Sequence, residues 1–151
     1  MSTRLRRTVI GALTTGVLAA AVVGGSAGSA SAHSYADRLV KGEFLRAGDY
    51  IQRSTLTGGL FTLVMQSDGN LVEYRSEGSG GRKVCWASNT QYAGGTYVVY
   101  QQDGNFVMYP DWSTRAVWSS NTYNGAGSTV DMNKFGVLYV GTTQVGNQCP
   151  R

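Results

Sequence analysis

Histidine is nearly missing from this chain: among 151 residues there is one, His33. Arrangements that activate a serine or cysteine need a base held beside the nucleophile, and a lone histidine near a frayed terminus does not supply it. Opposed carboxylates are missing as well. Asp68 and Asp103 occupy equivalent places in two separate repeats, which puts them on different faces, whereas a glycosidase needs two carboxylates across one bond. The two Asp-x-Asn segments begin like calcium loops, but the position of the bidentate glutamate holds Ser79 in one and Thr114 in the other. No catalytic residue, no metal ligand set and no cofactor is therefore expected, and the chain does not read as an enzyme.

Long basic runs are also lacking. The formal charge of +4 includes Arg4, Arg6 and Arg7 at the N-terminus, while all nine acids follow residue 32. Beyond that point ten Lys and Arg face nine Asp and Glu, a net charge of about +1. Arg82-Lys83 reads as part of a solvated loop, so nucleic acid is not an expected partner. No segment keeps a 3.6-residue apolar period. Short β-type runs alternate instead with Gly, Ser, Asn and Thr, which predicts an all-β chain.

Residues 1–32 read as a secretory signal peptide. The three arginines precede an apolar run from Val9 to about Val23, and Ala30-Ser31-Ala32 offers a small-residue cleavage site. The run is short and rich in Gly, Ala and Thr, so no membrane span is expected. Leu5 to Ile10, with Arg6-Arg7 inside, also permits twin-arginine export. Either route predicts a secreted, extracellular protein whose single domain is residues 33–151. Two cysteines, Cys85 and Cys149, fit one disulfide in an exported protein. Closed within the chain it would tie down the C-terminus at a gain of roughly 4 kcal/mol. A bridge between chains, or a free thiol, is the less favoured reading of the same count.

What the chain does have is a repeat. Gln66 to Tyr74 reads QSDGNLVEY and Gln101 to Tyr109 reads QQDGNFVMY. The shared positions are Gln66/Gln101, Asp68/Asp103, Asn70/Asn105, Val72/Val107 and Tyr74/Tyr109. Residues two apart on a strand share a face, and Asp-Gly is a hairpin-turn signal. Each copy is thus expected to turn at Asp-Gly and to present Asn, Val and Tyr on one face, with Gln arriving from the other arm. Donors and acceptors at fixed spacing beside one apolar contact suit a polyhydroxylated ligand. Turn chemistry alone accounts for Asp, Gly, Val and Tyr in one copy. It does not account for Gln at the same offset in both, or for the segments that follow.

Those segments are Trp86-Ala87-Ser88-Asn89-Thr90 and Trp118-Ser119-Ser120-Asn121-Thr122, so the repeat is a whole strand-hairpin-loop unit. A third, degraded unit lies at Thr129 to Tyr139. Aligned on its tyrosine, it retains only Val137 and Tyr139 and puts Phe135 at the Asn position. Before the first unit, Leu39, Gly42, Leu45 and Gly48 recur every third residue, and residues 33–54 read as two brief strands. Trp86 and Trp118 are expected in the core, and Trp112, in the turn after Pro110, is less constrained and a candidate for an exposed contact.

The pattern Gln-x-Asp-x-Asn-x-Val-x-Tyr resembles that of the bulb-type (monocot mannose-binding) lectins, here as a secreted bacterial member. The resemblance implies a β-prism II fold of three antiparallel sheets about a pseudo-threefold axis. It implies two mannose sites, on Gln66, Asp68, Asn70, Val72 and Tyr74 and on Gln101, Asp103, Asn105, Val107 and Tyr109, with a third unit that is structural. In that reading Asp and Asn hold the axial 2-hydroxyl, Gln and Tyr reach the 3- and 4-hydroxyls, and Val touches the ring carbons. The partners implied are mannose-containing or related glycans. The plant members' C-terminal strand exchange implies a homodimer, although this tail lacks the final Trp segment and carries Cys149 instead. An alternative role that the family suggests is a secreted antimicrobial or bacteriocin-type protein using the fold to find a cell surface.

Overall fold

The structure, a computed structural model, describes residues 32–78 and 80–150. The expected signal peptide, apart from Ala32, lies outside the described residues. Among the described residues, twelve strands form three antiparallel sheets of four. The first sheet joins β3 (Tyr50–Ser54), β4 (Leu60–Met65), β5 (Leu71–Ser76) and β6 (Arg82–Ala87). The second joins β2 (Phe44–Arg46), β7 (Tyr97–Tyr100), β8 (Phe106–Tyr109) and β9 (Trp118–Ser119). The third joins β1 (Arg38–Val40), β10 (Thr129–Met132), β11 (Leu138–Val140) and β12 (Thr143–Gln144). This is the expected all-β, three-sheet prism.

The N-terminal segment departs from the two-strand expectation. Residues 38–54 form three strands, and each joins a different sheet. Leu39 and Leu45 stand at the centres of β1 and β2 and Ile51 is the second residue of β3, all fully buried. Gly42 and Gly48 separate them with φ of 94° and 95°, a left-handed conformation that glycine takes without a Cβ clash. The Leu-Gly pacing is therefore a device for turning a corner of the prism after each short strand.

Alternation on the strands fills one shared interior. Leu63, Met65, Leu71, Val98, Tyr100, Phe106, Met108, Val130, Met132 and Leu138 all bury there. Trp86 and Trp118 pack against this core and against each other edge-on, with ring centroids 5.8 Å apart. An edge-on aromatic contact of this kind is worth about 1 kcal/mol beyond its burial. Trp112 is 75% exposed, as expected of its turn.

Cys85 and Cys149 form a disulfide within the chain. The β5–β6 ladder pairs Glu73 with Trp86 but Tyr74 with Val84, so Cys85 is the extra residue of a bulge. A bulge bends its strand and re-aims a side chain. Here it frees the Cys85 sulfur to meet the C-terminal tail, whose Cys149 is buried.

The third unit's register differs from its alignment on tyrosine. In the first two hairpins the closing bonds run from the Gln66 amide to the Asn70 carbonyl and from Gln101 to Asn105. The corresponding bond in the third runs from Asn133 to Val137. The turn glycines agree: Gly69, Gly104 and Gly136 all have positive φ. Asn133 thus stands at the Gln position, Phe135 at the Asp position, Val137 at the Asn position, Tyr139 at the Val position and Gly141 at the Tyr position. None of the five motif residues survives. The slip is by two residues, which keeps every side chain on its proper face, so period-two patterning does not reveal it. The turn, which does not tolerate sliding, sets the register.

Candidate functional site

Each intact copy builds a small polar array at one hairpin. In the first, the amide N–H of Asn70 donates to Asp68 Oδ1 at 3.0 Å, an Asx turn that leaves Oδ2 free. In the second, Asn105 N–H donates to Asp103 Oδ1 at 2.9 Å. Gln66 Nε2 donates to the Tyr74 hydroxyl at 2.7 Å, and Gln101 Nε2 to Tyr109 at 3.1 Å. With the phenol oxygen accepting from the amide, the phenol proton is left to point outward.

The asparagine is oriented by the segment that follows the neighbouring strand, β6 in the first copy and β9 in the second. Asn70 Oδ1 accepts from the Thr90 backbone N–H at 3.2 Å and from Ser88 Oγ at 3.0 Å. Asn105 Oδ1 accepts in the same way from Thr122 N–H at 3.2 Å and from Ser120 Oγ at 3.2 Å. A backbone N–H can only donate, so the carboxamide oxygen must face it and the NH₂ must project away, into the site. Thr90 and Thr122 are themselves anchored, their hydroxyls donating to the Gly69 and Gly104 carbonyls at 2.7 Å. Asn89 and Asn121 take positive φ, 56° and 57°, to bend the chain back toward the hairpin. The recurring Trp-x-Ser-Asn-Thr segment therefore combines a core tryptophan, a clamp on the site amide and the turn between them. Sequence recurrence marked this segment; its job as a clamp becomes legible only with the hairpin beside it.

The structure brings together Gln66, Asp68, Asn70 and Tyr74 in one array and Gln101, Asp103, Asn105 and Tyr109 in another. Val72 and Val107 retain only 3% of their surface and form the floor of the two sites. The third hairpin has no such array: Phe135 and Val137 replace the carboxylate and amide, and Val145 stands where Ser88 and Ser120 supply their hydroxyls.

Two features beneath and beside these arrays were not visible in the motif. Glu73 points inward between Val72 and Tyr74, fully buried, and neither carboxylate oxygen has a hydrogen-bond partner among the described residues. Burial pushes its pKa up to about 8. The surroundings of the two tyrosines also differ. Arg82 lies over the Tyr74 ring at 5.8 Å, whereas Tyr109 is flanked by Tyr97 at 5.9 Å.

No protein-family model matches the sequence. The chain is 36% identical over 74 residues to curculin-2 of Molineria latifolia, an alignment that covers 48% of this chain. It spans 40% of the length of that curated relative. Among solved structures it resembles the mannose-specific agglutinin of snowdrop (Galanthus nivalis) bulbs complexed with methyl α-D-mannoside, at a TM-score of 0.57 and 28% identity. That match covers 71% of this chain and 90% of the agglutinin. Tarin lectin bound to trimannose matches at a TM-score of 0.52 and 25% identity, covering 68% of this chain and 85% of that one. These two solved structures are of lectins, proteins that bind rather than transform carbohydrate. The three four-stranded sheets, closed by the N-terminal strands and carrying one hairpin each, are the β-prism II fold of the bulb-type lectins.

Proposed function

We propose that this protein is a secreted lectin that recognises mannose or mannose-like sugars through its two intact hairpins. The observation that carries the reading is the same polar array in both copies: a free Asp Oδ2, an Asn NH₂ aimed outward by its clamp, and a Tyr hydroxyl set by Gln. Asp68 and Asn70 offer an acceptor and a donor to one axial hydroxyl, while Gln66 and Tyr74 serve its neighbours on the ring. Asp103, Asn105, Gln101 and Tyr109 do the same. An epimer lacking the axial hydroxyl leaves these groups unpaired at about 1–3 kcal/mol each, which is a physical basis for selectivity. Likeness to mannose-specific lectins supports the same class of ligand.

One shallow array binds weakly, at about the millimolar level. Two arrays on one chain gain by avidity on a polymeric glycan. Export is supported by the leader, whose Arg6-Arg7 pair suits a bacterial system, and by the disulfide, which persists in oxidising compartments. Calorimetric titration with methyl α-mannoside, and with the galactoside as control, tests the reading. Saturable mannoside binding should halve in stoichiometry in Asp68→Ala and in Asp103→Ala and vanish in the double variant. A folded protein that gives no heat at millimolar mannoside would overturn it.

A further inference from the structure

The two arrays share a motif but not a neighbourhood. Beside the second lies an open cleft of about 850 Å³, lined by Gln101 and Tyr109 of the array itself and by Tyr97, Val99, Asp111 and Trp112. Its size falls in the range of about 300–1,000 Å³ that holds a ligand of several rings. The cleft is held in shape on both walls. The Trp112 ring rests on Gly94, where a Cβ would come within 3.3 Å of it. Gly94 has a φ of +85° besides, so the position suits glycine twice over. Asp111, next to Trp112, accepts a charged hydrogen bond from Arg46 at 2.9 Å. The same guanidinium lies over the Tyr97 ring at 5.3 Å and over Phe44 at 5.4 Å. An arginine shared between carboxylate and aromatic faces fixes the turn relative to β7.

The first array has none of this. Thr62 takes the register position that Tyr97 holds in the second. Three residues past Tyr74 stands Glu77, ion-paired with Arg75, where Trp112 stands three past Tyr109. Arg82 covers the Tyr74 ring.

We propose that the second copy is an extended site for a neutral oligosaccharide, and that the first takes a single terminal hexose. One hexose sits on Gln101, Asp103, Asn105 and Tyr109. The next residue of the glycan enters the cleft with its apolar face against Trp112 and Tyr97, and its hydroxyls reach Asp111 and the Ser113 and Thr114 side chains. Large, stiff aromatics give contact area at little entropic cost, and Trp112, being 75% exposed, has that area to give. Arg46 already neutralises Asp111, so the carboxylate of Asp103, which has no ion pair among the described residues, is what disfavours an acidic glycan.

This inference rests on the lectin reading, and its test separates the two. The full chain carrying Asp68→Ala keeps only the second array; Asp103→Ala keeps only the first. Each is titrated with methyl α-mannoside and with α1,3- and α1,6-mannobiose. In Asp68→Ala at least one mannobiose should bind about tenfold more tightly than the monosaccharide, the scale of one added aromatic contact. In Asp103→Ala no such gain should occur. Adding Trp112→Ala to Asp68→Ala should remove the gain, and Trp112→Tyr should restore most of it. Equal gains at both arrays, no gain at either, or a gain that survives Trp112→Ala overturns the extended site while leaving a lectin. Absence of binding by every mannoside overturns both readings.

Discussion

Replacing Glu73 with methionine, the residue at the matching place in the second repeat, should stabilise the protein at alkaline pH. Glu73 lies opposite Leu63 on one side and Trp86 on the other, as Met108 lies opposite Val98 and Trp118. Burial raises its pKa from 4.5 to about 8. The native state therefore keeps a proton that the unfolded chain releases once the pH passes 4.5. Between those two values the unfolded state binds fewer protons, so stability falls as pH rises through the window. This loss is absent below the lower value and complete above the upper one. Each unit within the window is worth about 1.4 kcal/mol. The full shift therefore approaches about 5 kcal/mol, against a total stability of about 5–15 kcal/mol for a domain of this kind. Even protonated, a carboxyl group without partners costs about 1–3 kcal/mol, which methionine of similar length avoids. Urea titrations at about pH 5 and about pH 8.5 read the effect directly. The wild-type midpoint should drop between the two, while the Glu73→Met midpoint should stay level and lie higher at the alkaline end. A wild-type midpoint indifferent to pH, or a variant less stable than wild type at about pH 8.5, would refute the reasoning.

Removing one hydroxyl from the clamp should act on one site only. Ser88→Ala deletes a hydrogen bond to Asn70 Oδ1 and leaves Ser120 with Asn105 untouched. At about 1 kcal/mol for such a bond, mannoside affinity at the first array should fall about fivefold, visible by titrating the variant in the Asp103→Ala background. The disulfide spans a sequence separation of 64 residues. Cys85→Ala with Cys149→Ala should cost about 4 kcal/mol and lower the urea midpoint by about 2 M. An unchanged midpoint would mean that the tail adds nothing to the fold.

The legible parts of this chain were those written in short-range code. Asp-Gly placed both hairpins, and period-two spacing put Asn70, Val72 and Tyr74 on one face, as found. The tryptophans of the repeated Trp-x-Ser-Asn-Thr segments declared themselves as core. Four features escaped, each for a physical reason. The third hairpin reads wrongly from Tyr139 because a two-residue slip preserves facing, and only the turn at Gly136 distinguishes the registers. Residues 33–54 hide three strands because each is only a few residues long, too short to show alternation. The clefted second array depends on Tyr97, which reaches Tyr109 only through the β7–β8 ladder, so nothing in the local motif announces it. Glu73 reads as a surface residue in any propensity scheme, and its burial follows solely from its parity with Leu71.

The distribution of β1, β2 and β3 among three different sheets has a kinetic meaning. A sheet built from one continuous stretch of chain can close as soon as that stretch is made. Here Leu45 faces Val98, and Leu39 faces Val130, far along the chain. Only the first sheet is assembled from neighbouring segments; the other two stay one strand short until distant ends meet. Loop closure over such distances slows folding, and it makes the last steps depend on the first residues of the domain. The seventeen or so residues from Arg38 to Ser54 act as a common thread drawn through all three walls, so pulling it out frays each wall at once.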